Sequence, residues 1–208
     1  MEYKSGMRNL EKIEYQPISV REIVLEMKNL SELMIDLAYS AALFNDKELA
    51  EDVIDLEKRI DHLALLLEMH IMIAARDPED AESLLAVSRI GSAADKISDA
   101  AADIAAIVVH DIGVHPIVTK IFENVEERLI RAKVTKDSLI VGKKIHELDL
   151  AAKMGVDILA IGRNKEWIIN PEEYEIIKEG DTLIVRGSSL GTKRFKETTE
   201  KSQNSGVK

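Results

Sequence analysis

Carboxylate side chains recur at helical spacing in the first part of this chain, and they are the residues best suited to chemistry. Asp95, Asp99 and Asp103 follow one another at every fourth position, which aligns three carboxylates along one side of a helix. Glu51 and Asp55 repeat that spacing earlier in the chain. Hard divalent cations accept such oxygen ligands without histidine or thiolate. These five residues are therefore candidate metal ligands, and the alternative is a solvated acidic face.

Other reactive groups are few, and the motifs of common enzyme classes do not occur. The 208 residues include no cysteine, which excludes disulfides, thiolate metal sites and cysteine nucleophiles. The spacing of the histidines fits no helical zinc motif. Neither a G-x-x-x-x-G-K-[ST] phosphate loop nor a G-x-G-x-x-G fingerprint is found. The sequence therefore predicts a protein that is not an enzyme.

Charge divides the chain into two parts. Residues 1–127 hold 12 Lys and Arg against 26 Asp and Glu, whereas residues 128–208 hold 16 against 12. We therefore expect one domain over 1–127, a second over 128–190, and a polar, partly disordered tail over 191–208. The acidic first domain argues against nucleic acid as a partner, because phosphates need a basic face. The basic second domain suits a small anionic ligand.

Hydropathy predicts a protein that does not enter the membrane. No run of the sequence approaches the roughly eighteen uninterrupted apolar residues of a membrane span. The first residues are charged and polar, without the apolar core of a signal peptide. We therefore expect a cytoplasmic protein that would be peripheral to the membrane only through a partner.

Long helices must position the carboxylates of the first domain. No glycine occurs between Met7 and Ile90, and the prolines at 17, 78 and 116 lie where helices should begin. This pattern predicts helices over roughly 18–44, 46–75 and 78–110, and a shorter fourth helix from Pro116 towards Arg128. Apolar residues alternate by four and three along the three long helices, which is typical of a shallow-angle antiparallel bundle. Apolar stripes this long predict a homodimer.

The last third of the chain has short apolar runs bounded by turns. Ile158 to Ile161 and Leu183 to Val185 are β-rich, and Gly180-Asp181 forms the turn before the second run. The order is a strand, a short helix, a strand, a turn and a strand. The pattern includes Val134-Thr-Lys-Asp-Ser138 and Val141-Gly-Lys-Lys-Ile145. Over roughly Leu129 to Gly187 it resembles the RCK_C (TrkA-C) domain, the small ligand-sensing lobe of potassium-channel and cation-transport regulators.

The RCK_C resemblance implies a ligand site. In that family two lobes pair and hold a small anionic ligand, such as cyclic di-AMP, at their interface. By position in the motif, the contacts here would be Ile161, Arg163, Asn170 and Pro171. A guanidinium offers a planar fork to phosphate, and an asparagine amide can pair with an adenine edge. Trp167 would either stack on a base or close the core.

The helical part resembles a second family. The segment Arg89-Ile-Gly-Ser-Ala-Ala-Asp95, continued to Ala105, resembles the repeat signature of PhoU, a phosphate-transport regulator built from three-helix units. The resemblance covers about Val20 to Val108 and implies metal-binding E/D-x-x-x-D pairs, which the five carboxylates named above match. PhoU carries two such units and this chain has room for one, which again implies dimerisation.

The predicted fold is therefore α+β, with an antiparallel bundle of long helices followed by a small βαββ-type RCK_C domain. One functional hypothesis is a non-enzymatic cytosolic regulator of cation transport, chiefly of potassium. Its RCK_C pair would bind the ligand, and its bundle would relay the change to a membrane channel or transporter subunit. The alternative is a PhoU-like metal-binding adaptor in phosphate or metal homeostasis, with RCK_C as a dimerisation module. A third option is a scaffold that only oligomerises.

Overall fold

The computed structural model describes residues 14–113, 127–164 and 166–200. Its first part consists of the helices α1 (Val20–Phe44), α2 (Lys47–Ala74) and α3 (Pro78–Val109). The three predicted long helices are thus confirmed. The predicted fourth helix lies outside the described residues up to position 126, and a strand begins at Glu127. Within the described ranges, no helix combines the length and apolarity needed to cross a bilayer.

Each long helix begins at a residue whose side chain caps it. Ser19 Oγ accepts a hydrogen bond from the Glu22 N–H at 3.2 Å, and the Glu22 carboxylate accepts one from the Ser19 N–H at 2.9 Å. Asp46 and Asp77 cap α2 and α3 by accepting from the N–H three residues later. Caps of this kind satisfy N–H groups that have no partner within the helix, so the local sequence determines where the helices start.

The three helices share one apolar core. Short connections make neighbouring helices antiparallel. The larger side chains of the core come from α1 and α2, whereas α3 contributes mainly small ones; the fully buried members include Ile23, Met27, Leu30, Met34, Leu37, Leu49, Val53, Leu56, Ile60, Leu63, Ala101 and Ala105. Because α3 presents alanine and glycine to its neighbours, its backbone approaches them closely.

The second part of the chain forms an antiparallel sheet of four strands. Their order is β1-β4-β2-β3, with β1 at Glu127–Lys133, β2 at Val156–Arg163, β3 at Glu166–Ile169 and β4 at Thr182–Ser188. The α+β class is confirmed. The sheet has one strand more than the βαββ order predicted, because β3 folds back on β2 as a hairpin.

Three shorter helices accompany the sheet: α4 (Ile145–Leu148) and α5 (Leu150–Met154) precede β2, and α6 (Ser189–Glu200) follows β4. Residues 191–200 of the predicted polar tail thus belong to α6. Phe195 of α6 is fully buried against the sheet, so one large apolar residue on the inner side of a polar helix anchors it. Residues 201–208 lie outside the described residues.

The sheet lies between the bundle and α6. Ala160 and Ile184 face the bundle and belong to its core cluster. Ile161 and Val185, their neighbours along the strands, face the other way and pack with Phe195. The alternation follows the two-residue period of a strand. The sheet and the bundle are therefore joined through a common apolar core.

Gly187 of β4 is expected to tolerate no side chain. A Cβ atom there would lie 2.6 Å from the carbonyl oxygen of Gly155 and 3.1 Å from the Cα of Val156, backbone atoms that cannot rotate away. Gly187→Ala should therefore lower the free energy of unfolding by roughly 1–3 kcal/mol, although alanine usually improves on glycine in a strand. Chemical denaturation measures the change. Lys133→Ala, on the exposed end of β1, is the control, and a stabilised Gly187→Ala would contradict the packing.

Candidate functional site

A cavity of about 800 Å³ opens where the bundle meets the sheet. The bundle lines it with Glu26, Leu30, Asp52, Asp55 and Arg59, and the sheet and its loops line it with Gly162, Arg163, Asn164, Glu166, Trp167, Gly180 and Thr182. Its volume is typical of small-molecule sites, which often lie between domains. Because the bundle and the sheet both line the cavity, the binding of any molecule here would depend on how the bundle and the sheet are placed relative to each other.

An ion-pair cluster beside the cavity joins the sheet to the bundle. Arg131 of β1 donates from Nε to the Asp52 carboxylate at 2.9 Å and from Nη1 to Glu48 at 3.3 Å. The side chains of Arg131 and Asp52 are 25% and 14% exposed, so water screens their attraction only in part. Since Asp52 and Glu48 both lie on α2, a shift of β1 would be transmitted to that helix.

The environment of Asp52 brings its ionisation close to neutral pH. Burial raises the pKa of Asp52 to about 6, and the attraction of Arg131 opposes that rise without cancelling it. The nearby carboxylates of Asp55 and Glu48 raise the pKa further. The charge that holds Arg131 is therefore one that a modest fall in pH would remove.

Arg163 closes the sheet side of the cavity. Its Nε and Nη2 donate to the two carboxylate oxygens of Asp181 at 2.8 Å each, and its Nη1 donates to Glu175 at 2.7 Å. A further bond at 2.8 Å runs from Nη2 to the carbonyl oxygen of Ile176. Asp181 is 1% exposed, and these bonds raise the pKa of the Arg163 guanidinium, the Asp181 bond contributing most. Arg163 thus holds the loop before β4 against β2.

Trp167 of β3 supplies the aromatic wall of the cavity. A Cβ atom on Gly162 of β2 would lie 3.2 Å from the Trp167 ring, so the ring packs closely over this glycine. The side chain is half-buried and packs with the bundle core. Trp167 therefore closes the core with one part of its ring and borders the cavity with another. Stacking on a base stays a prediction.

A separate group of carboxylates lies between α2 and α3. Glu57, Asp61 and Asp99 each bring one oxygen to within 4.8 Å of the others, and all three are half-buried. Only Asp99 belongs to the predicted set of metal ligands. Glu57 and Asp61 were missed, although their Glu-x-x-x-Asp spacing was a signal of the same kind. Their convergence with Asp99 depends on how the two helices pack.

The other predicted metal ligands lie outside this group. Glu51, Asp55 and Asp103 are exposed, and the Asp55 carboxylate accepts from Lys58 Nζ at 2.7 Å. Asp95 is half-buried on α3, one turn before Asp99. Their binding of metal stays a prediction, and the structure does not gather them around one point.

Two family models match successive parts of the chain. The model of the PhoU domain matches residues 24–108, and that of the TrkA-C domain matches residues 129–199. The two matched segments are called the PhoU domain and the TrkA-C domain after these models. Ktr system potassium uptake protein C of Bacillus subtilis (strain 168) is 33% identical over 111 residues, which are 53% of this chain and 48% of that protein. The chain thus spans about half the length of this curated relative.

Solved structures similar to this chain include two RCK_C domains. The RCK_C domain dimer of S. agalactiae BusR in complex with c-di-AMP is 28% identical with a TM-score of 0.33, covering 34% of this chain and 88% of that chain. The RCK C domain of the potassium transport protein KtrA, also in complex with c-di-AMP, is 30% identical with a TM-score of 0.33. It covers 39% of this chain and 94% of that chain.

The predicted ligand residues of the TrkA-C domain lie in different environments. The Ile161 side chain is fully buried, and Arg163 is held by the carboxylates described above. Asn170 is exposed and left-handed, with φ of 49°, and its N–H donates to the Leu159 carbonyl at 2.9 Å. Pro171 follows it, half-buried. Asn170 and Pro171 are thus the members of the set nearest the surface of the TrkA-C domain.

Arg186 is a basic residue near the predicted ligand residue Asn170, and the sequence pattern did not identify it as a candidate. It shares with Asn170 a smaller cleft of about 190 Å³ between the TrkA-C sheet and α1. It lies 3.8 Å from Glu127, and its charge partly offsets the effect of burial, which raises the pKa of Asp36 in the same cleft. Its position as the one charged residue within β4 was the available signal.

The pKa of Asp52 predicts an unusual pH dependence of stability. Between about pH 4 and 6 the carboxyl ionises in the unfolded chain before it ionises in the folded one, so the free energy of unfolding falls as pH rises. Asp52→Asn should remove roughly 1–3 kcal/mol of that fall. Denaturation at about pH 3 and about pH 7, each roughly one unit outside this window, measures it. Glu68→Gln, exposed on the same helix and several turns from Asp52, is the charge-matched control. An unchanged slope in Asp52→Asn would contradict the assignment.

Proposed function

We propose that this chain is a non-enzymatic regulator of cation transport, with potassium as the principal ion. The observation that carries the proposal is the joining of a PhoU domain to a TrkA-C domain. The likeness to Ktr system potassium uptake protein C supports potassium as the ion. In this proposal the TrkA-C domain receives a small ligand, and the bundle relays the event to a membrane channel or transporter subunit.

The ligand we propose is small and anionic, with cyclic di-AMP as the first candidate. The excess of 16 basic over 12 acidic residues in positions 128–208 supports an anion. We infer that Asn170 and Pro171 contact it at the paired lobes of a homodimer. Ile161 would support that surface from beneath, and Arg163 would keep the adjoining loop in place while its charge stays balanced by carboxylates.

The relay we propose runs from β1 to the bundle. Arg131 of β1 pairs with Asp52 and Glu48 of α2, and the Arg128 guanidinium lies 5.4 Å from the centre of the Phe44 ring at the end of α1. A ligand can act through these contacts only if it binds two arrangements of the domains with different affinity. The proposal therefore includes two such arrangements, with the cluster around Arg131 changing between them.

The ligand site is tested by a pair of asparagines. Asn170 and Asn164 flank β3, and both are left-handed, with φ of 49° and 53°, so glycine at either position preserves the backbone and removes only the amide. Asn170→Gly should weaken cyclic di-AMP binding about tenfold or more, which corresponds to roughly 1.4 kcal/mol. Isothermal titration calorimetry measures it, and Asn164→Gly should bind as the wild type does.

Two outcomes would revise the proposal in different ways. If Asn164→Gly lost affinity and Asn170→Gly kept it, the ligand would belong in the large cavity that Asn164 lines. If the wild-type protein bound no cyclic di-AMP, that ligand would be excluded, and the same titration with ATP and NADH would follow. The cytoplasmic location and the lack of a nucleic-acid partner remain predictions, as do the domain limits near residues 127 and 190.

A metal-binding adaptor is the second candidate function, because Glu57, Asp61 and Asp99 converge. Three carboxylates from two helices suit a hard divalent cation such as Mn²⁺. In this candidate, Asp99→Asn should weaken Mn²⁺ binding about tenfold or more, roughly 1.4 kcal/mol, as measured by calorimetry and by metal analysis of the purified protein. Asp103→Asn, on the exposed side of the same helix, is the matched control. Equal effects of the two changes would indicate a diffuse acidic surface instead.

A further inference from the structure

Helix α3 carries a second apolar stripe, most of which lies outside the bundle core; its member Ile104 packs partly against that core. The core side of the helix is formed by Gly91, Ala94, Ser98, Ala101, Ala105 and Val108, all buried. The second stripe lies beside the core side on the helix surface, and its members are separated by four and three residues in turn. They are Ala86, Ile90, Ala93, Ile97, Ala100, Ile104 and Ile107. Its first five members are exposed and its last two half-buried. Ile90 and Ile97 are 55% and 43% exposed.

The composition of this stripe, the outer α3 stripe, fits another helix. Alternate spacing by four and three gives the mean repeat of 3.5 residues that keeps one seam facing a partner helix. At 1.5 Å per residue the stripe is roughly 32 Å long. Isoleucine and alanine alternate along its first five positions and again at Ile104. A partner helix must therefore provide small residues opposite each isoleucine and large ones opposite each alanine.

A second copy of α3 meets that requirement when it runs antiparallel. We propose that two copies of this chain associate through their outer α3 stripes, related by a two-fold axis close to Asp95 and Lys96. In that register Ile97 faces Ala93 of the second copy, and Ile90 faces Ala100 of the second copy. The pairs recur by symmetry on the other side of the axis, and Ile104 faces Ala86 of the second copy. Every large residue then meets a small one.

Charge supports the same direction. Arg89 and Asp103 flank the stripe on the same side, near its two ends, and both are exposed. The antiparallel register brings Arg89 of each copy opposite Asp103 of the other, which makes two favourable pairs. A parallel pair would instead set isoleucine against isoleucine, leaving gaps between the alanines, and would place Arg89 and Asp103 of the two copies on opposite sides of the seam. At the axis, Lys96 comes near Lys96 of the second copy. The flexible stem of each side chain lets its ammonium group reach solvent.

This inference specifies one surface of the homodimer on which the proposed function rests. It is independent of where the ligand binds, because the outer α3 stripe lies on the PhoU domain. The TrkA-C lobes would form a second contact between copies, so the mass of the assembly alone would not identify the surface. Proximity across the stripe is therefore the quantity to measure, and ligand affinity is the separate test of function.

Cross-linking at single cysteines tests the register, because the chain has no cysteine of its own. In the 208-residue chain carrying Lys96→Cys, a short bis-maleimide should link position 96 of one copy to position 96 of the other, since this position lies near the two-fold axis. Arg89→Cys should not be joined, since antiparallel helices carry that position to opposite ends. Adding Ile97→Glu to Lys96→Cys should reduce the cross-linked fraction at least tenfold. Leu85→Glu, which is exposed but off the stripe, should leave it unchanged.

Each other result overturns the inference. Cross-linking at both cysteines would indicate a parallel pair, and cross-linking at neither would show that a second copy does not cover this face. Retention of the cross-link in a helical Ile97→Glu variant, with folding checked by circular dichroism, would place the contact elsewhere on the helix. If ligand binding by the TrkA-C domain persisted while these tests failed, the docking surface would be wrong and the proposed function would stand.

Discussion

The burial of one sheet face against the helical bundle is the constraint on which the rest of this structure depends. Ala160 and Ile184 lie in the bundle core cluster, so the two domains cannot separate without exposing apolar surface to water. The same burial brings Arg131 beside Asp52 and desolvates that carboxylate. The packing thus creates both the mechanical connection between the domains and the electrostatic group that can alter it.

Two arginines of the TrkA-C domain, Arg163 and Arg131, pair with carboxylates that are little exposed, and the two pairs have different roles. Asp181 accepts two bonds from Arg163 and one from the Lys178 N–H, so the loop before β4 is held within its own domain. Asp52 accepts a single bond from Arg131 and belongs to the other domain. Burial raises the pKa of the Asp52 carboxyl, so that group is held in the charged form weakly. The first pair stabilises a domain, and the second connects two.

Helix α3 combines close packing inside the bundle with an apolar surface outside it. Its small residues allow the helix to approach α1 and α2, and this leaves its larger side chains, Ile90 and Ile97, on the outside. A helix that is apolar over so much of its circumference is typical of a position between two layers of protein. The half-buried carboxylate of Asp99 faces α2 from a third side, so three different surfaces of one helix have separate partners or candidate partners.

The sequence by itself determined the features that lie within single elements: the three long helices, the α+β class and the order of the two domains. Spacing along one helix or strand is readable because neighbours in the chain are neighbours in space. Only the tertiary structure decided which elements meet. It joined Glu57 and Asp61 to Asp99, balanced the charge of Arg163 with Asp181 and Glu175, and attached Arg131 to α2. It also turned the supposed tail into α6 through the burial of Phe195. These outcomes depend on the register in which separate surfaces pack, which the local pattern of residue types does not contain.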